Sequence, residues 1–158
     1  MRSPISGATR PCAGAALGYA LHLRRVSLSP RFDYCRSGFS NDAVEATTDE
    51  YALGVAAHYV RDLSRVSLAA GGALSAQLSH QRFTSEGSAP PRVSLAPSAA
   101  LVAQVGFDLG RGFQAGLEAR GEAYALRSSS SEHSGDTWTA AFALRGSLLL
   151  GKLFQSGR

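Results

Sequence analysis

From Gly14 onward, apolar side chains occupy every second position. Ala15, Leu17, Tyr19, Leu21 and Leu23 share one face, and Ala16, Gly18, Ala20 and His22 share the other. Beyond Arg24-Arg25, Val26, Leu28, Pro30, Phe32 and Tyr34 alternate with Ser27, Ser29, Arg31, Asp33 and Cys35. Successive side chains of a strand point to opposite faces, so a period of two predicts strands. The period returns over 51–59, 66–78, 93–107, 113–125 and 138–150, which gives seven strands in all, and no segment carries a helical period.

The links alternate in length. Arg24-Arg25, 61–65 and 108–112 are short, whereas 36–49, 84–92 and 127–136 are long and polar. Short turns at one end and long loops at the other predict an all-β, antiparallel up-and-down meander. The phrase Arg-Val-Ser-Leu starts at Arg25, Arg65 and Arg92, at unequal spacings, and reads as similar strand starts rather than a repeat. Pro30 and Pro97 fall inside strands. Each removes a ladder donor, which marks either a bulge or a strand beside an open seam.

Composition narrows the class. The 158 residues, one domain by length, are 44% hydrophobic and 18% charged, against about 25% charged in an ordinary soluble domain. That is too apolar for disorder, and no apolar run is long enough for a membrane helix. The net charge of +4 comes from arginines scattered along the chain, with Lys152 the single lysine, so nucleic acid is not an expected partner. The face opposite the apolar one is mostly Gly, Ala and Ser, which suits the lumen of a narrow barrel rather than a solvated surface. Aromatic residues gather near strand ends. Phe32, Tyr34, Tyr51 and Trp138 lie toward the long loops, and Tyr59, Phe107, Phe113 and Phe154 toward the short turns; Tyr19 and Phe142 lie deeper. Two such girdles are what the two interfaces of a bilayer select. A transmembrane β-barrel is the expected architecture.

Residues 14–154 resemble a small bacterial outer-membrane β-barrel of the eight-stranded OmpA/OmpX type. The final strand, with Leu148, Leu150 and Phe154 on one face, is similar to the C-terminal insertion signal of that class. It departs from it in Lys152, on the same face, and in the tail 155–158. The resemblance implies the outer membrane of a Gram-negative cell envelope, a lipid-bilayer environment, insertion by the barrel-assembly machinery, and surface loops. Seven antiparallel strands leave the first and last running the same way, while single-chain barrels of this class have even counts. An eighth strand is therefore expected upstream of Met1 with its signal peptide, and 1–13 as a loop remnant or disordered N-terminus. Residues 12–23 are mildly apolar but run into Arg24-Arg25 with no small-residue cleavage site, so no signal peptide is read there.

Several constellations could carry chemistry. Arg31, Asp33, Glu118, Arg120, Glu122 and Arg145 are expected in the lumen, with Arg120 opposite Arg145. Charges there must pair, and they read as a plug rather than a gate or permeation path, because side chains about fill an eight-stranded lumen. His22 and His58 face the lumen with Ser27 and Ser67 as expected neighbours. Neither has a carboxylate to orient it, so they read as hydrogen-bonded histidines rather than catalytic ones. Cys12 and Cys35 come close in the first hairpin and are a candidate disulfide, oxidisable outside the inner membrane. No metal or other cofactor is expected. The expected function is structural or surface-interactive and not enzymatic. The alternatives are a narrow porin-like channel, a soluble ligand-binding β-barrel, and a lipid-modifying enzyme, for which no catalytic group is visible at the outer rim.

Overall fold

In the computed structural model, residues 12–40, 45–83, 92–129 and 136–152 are described, and all regular structure among them is strand. The strands are β1 (Ala13–Gly18), β2 (Leu21–Leu23), β3 (Val26–Ser40), β4 (Glu45–Leu63), β5 (Val66–Phe83), β6 (Arg92–Gly110), β7 (Phe113–Ser129) and β8 (Asp136–Lys152). β1 and β2 both pair with β3 and are two halves of one interrupted strand. The sheet is thus a seven-stranded antiparallel meander in sequence order, curled into a half-barrel, with no ladder between β1 and β8.

Two expectations need correction. The link 36–49 is mostly strand, since β3 runs to Ser40 and β4 starts at Glu45. Polar residues extend the hairpin there because the two strands need only each other's backbone. The prolines mark neither bulges nor an outer edge, because the register runs through both. They sit where a ladder stops on one side. The Tyr19 N–H donates to the Pro30 carbonyl at 3.2 Å. Pro30 has no N–H to return, and the first strand breaks at Tyr19-Ala20 opposite it. The β6–β7 ladder likewise begins at Ser98–Tyr124, next to Pro97, while β5–β6 pairing continues to Gln81–Arg92. A deleted donor removes a ladder bond without forcing a bulge. The one register shift between described strands lies at Asp108/Gly110, beside a short turn.

The alternation places polar groups inside. Ser27, Asp33, His58, Gln77, Ser98, Glu118, Arg120 and Glu122 are buried, whereas the buried apolar set is mostly alanine. No large side chain among the described residues is fully buried. Leucines instead cover the convex face: Leu144, Leu148 and Leu150 are 84%, 85% and 86% exposed. The concave side is close-packed, and glycine is required at points of contact. A Cβ on Gly54 would come within 2.6 Å of the Ser75 Cβ.

Candidate functional site

The concave face holds one connected ion-pair network. Asp33 and Arg31 stand two residues apart on β3, so both point inward, and the Arg31 Nε donates to Asp33 at 2.6 Å. The Arg31 Nη1 reaches across the concave face and donates to Glu118 on β7 at 2.6 Å. Glu118 also accepts from Gln104 Nε2 at 2.6 Å. Arg120 lies between carboxylates, 3.3 Å from Glu122, 3.6 Å from Glu118 and 3.8 Å from Asp33. Arg145 on β8 bridges Asp33 and Glu122, at 3.5 Å each. The Tyr124 hydroxyl donates to Glu122. Arg120 and Arg145 face each other in register, and intervening carboxylates separate their charges. The six residues expected in the lumen thus meet as three guanidiniums and three carboxylates with no net charge. Burying ions is tolerable only when they are paired in this way.

The crossing contact also measures the curl. The row of register partners through Arg31 runs to Gly54, Ser75, Ser98 and Tyr124. The Arg31 side chain meets Glu118, six residues before Tyr124 on β7. An offset of six residues over four strand steps gives a tilt of about 45°, using the standard rise and strand spacing. Closed barrels tilt their strands by about 35–45°.

At the long-loop end the lumen holds Glu50, which accepts from Gln77 at 2.9 Å and lies beside Cys35. Cys12 and Cys35 are joined in a disulfide, Cα to Cα 5.9 Å, which ties the chain before β1 to β3. Their sulfurs and the Glu50 carboxylate could hold a metal by position, but disulfide sulfurs are not thiolate ligands. On the outer face, Asp49 accepts from Tyr34 at 2.9 Å and Arg82 at 2.7 Å, with Arg36 at 3.4 Å. Periodicity does not draw Asp49 and Glu50 into the site, because Asp49 closes the polar link 36–49 and Glu50 stands between that link and the alternation that starts at Tyr51. Gln77, Gln104 and Tyr124 stood at inward parity, which was the available signal.

The histidines are placed differently from expectation. His22 pairs with Ser27, but His58 faces Ser27 and Gly71, whereas Ser67 faces Asp62. The 61–65 turn is tighter than it read, since β4 continues to Leu63, and this shifts the register. Of the aromatic girdles, Phe32, Tyr34 and Tyr51 cluster, with ring centroids 6.4 Å (Phe32–Tyr51) and 5.2 Å (Tyr34–Tyr51) apart. Tyr59, Phe107 and Phe113 are exposed toward the short turns, and Lys152 stands over Phe113 at 5.6 Å. The Trp138 side chain and Phe154 lie outside the described residues. Comparison with family models, curated proteins and solved structures found no match to the chain.

Proposed function

We propose that the chain is an outer-membrane β-barrel whose role is structural or surface-interactive. The observation that carries this reading is the inversion of polarity. Exposed leucines cover the convex face and paired charges fill the concave one. In water that arrangement forfeits the burial that holds soluble domains together. In lipid it matches the solvent, and a closed barrel satisfies every backbone group. Between Tyr51 and Tyr59, β4 spans nine residues, the length that crosses a bilayer at about 45°. In this reading an eighth strand, antiparallel to both β8 and β1, closes the wall. The offset of six residues over four strand steps supports it. The balanced network serves as a plug that locks the staves, and the long connections face outward. A bacterial outer membrane and insertion by barrel-assembly machinery belong to the same proposal.

Fractionation of cells expressing the native gene tests it, together with a gel run before and after boiling. The expected result is membrane-fraction protein whose mobility changes on heating. Recovery in the soluble fraction without detergent overturns the reading.

A further inference from the structure

The arginines that lie scattered along the sequence collect at one rim. All three short turns carry arginine at a central position: Arg24 and Arg25, then Arg65, then Arg111. Arg61 stands on the convex face two residues beyond Tyr59, and Lys152 lies beside Phe113. Against these six cations the described residues of the rim hold two acids, Asp62 and Asp108. Its net +4 equals the formal charge of the whole chain. Asp108 is engaged locally, accepting from the Gly110 N–H at 2.8 Å. Arg24, Arg25, Arg61, Arg65 and Arg111 are exposed and form no ion pair among the described residues. The turns are tied to the strand beyond them. The Arg25 carbonyl accepts from Val60 at 2.8 Å, and the Arg65 carbonyl from Asp108 at 3.0 Å.

Backbone conformation supplies a second, independent observation. Arg24 and Arg111 both have φ of +56°. That region disfavours a long side chain, and hairpin turns fill it with Gly, Asn or Asp. Turn geometry therefore does not account for arginine at these positions. Fifteen of the sixteen basic residues are arginine, whose planar fork matches phosphate oxygens in a way an ammonium does not. The exposed rings of Tyr59, Phe107 and Phe113 lie just above this rim, and such rings mark headgroup depth in a bilayer.

We propose that the short-turn rim binds the phosphates of anionic phospholipids in the leaflet it meets. The proposal rests on the membrane reading above and adds a ligand class to it.

The test reconstitutes the full chain into vesicles of phosphatidylcholine containing about 30% phosphatidylglycerol. It then measures the lipid retained after mild detergent extraction. The expected result is a ratio of phosphatidylglycerol to phosphatidylcholine about fivefold that of the vesicle, an enrichment that declines as salt screens it. Arg24→Gly with Arg111→Gly should abolish most of that enrichment while the barrel becomes no less heat-stable, since glycine suits both turn positions. Arg92→Gln, which removes an exposed charge at the opposite end, should leave it intact. Wild-type protein that inserts but retains both lipids in proportion overturns the rim proposal and spares the barrel. Protein that enters no vesicle overturns both. Binding to DNA with no lipid enrichment overturns the lipid assignment.

Discussion

Glu118→Gln is the sharpest probe of the lumen, because Glu118 joins strands that share no ladder. Its side chain is 1% exposed and accepts from Arg31 and Gln104, each at 2.6 Å. The amide keeps the shape but turns one acceptor into a donor, so one of these two partners then faces a like group. It also leaves three guanidiniums against two carboxylates. Removing one partner of a buried pair costs about 3–5 kcal/mol. Arg31 keeps Asp33 at 2.6 Å, which places the expected loss near the lower figure, about 3 kcal/mol. Arg31→Gln alone should cost a similar amount, and the double substitution restores two against two. Urea titration of the refolded chain in vesicles, followed by the heat-sensitive gel shift, gives all four corners of the cycle. A coupling of about 2 kcal/mol is expected. Losses that add to within about 0.5 kcal/mol would mean that β3 and β7 do not meet. The curled sheet and the plug would then both be wrong.

Three further outcomes follow from the geometry. Leu144→Arg, on the most exposed part of the convex face, should destabilise the vesicle-inserted protein by about 2–4 kcal/mol; in urea titrations, a neutral or stabilising effect argues for a solvated face. Cys12→Ser with Cys35→Ser opens a link between residues 23 apart in sequence, a loop entropy of about 3 kcal/mol, and a non-reducing peptide map should show the link in wild type. Gly54→Val should lower the thermal midpoint sharply, because its Cβ meets Ser75 and the Leu74 carbonyl at 2.6 Å; an unchanged midpoint would mean the β4–β5 wall is looser than described.

Much of the lumen was legible because parity alone assigns faces. Arg31, Asp33, Glu118, Arg120, Glu122 and Arg145 all sit at inward positions, and one hairpin register sufficed to set Arg120 opposite Arg145. Contacts between distant strands were not legible. Arg31 meeting Glu118 depends on how far the strands tilt, and tilt is a property of the whole sheet. The His58 error has the same origin on a smaller scale, since moving a turn by two residues changes every partner beyond it. Asp49 is hidden because the polar run 36–49 reads as loop, and Glu50 because it stands between that run and the alternation from Tyr51, yet backbone pairing alone carries β3 and β4 through both.

Residue order alone sets the period of two and the alternation of short and long links, and so the meander and the two chemically distinct faces. Those are local properties, set by which way each successive side chain points. Tertiary structure decided which charges pair across the lumen and where the first strand breaks beside Pro30. It also gathered arginines from three separate turns, unremarkable along the chain, onto one rim. In a meander every second turn lands at the same end, so charges dozens of residues apart become neighbours only once the strands are laid side by side.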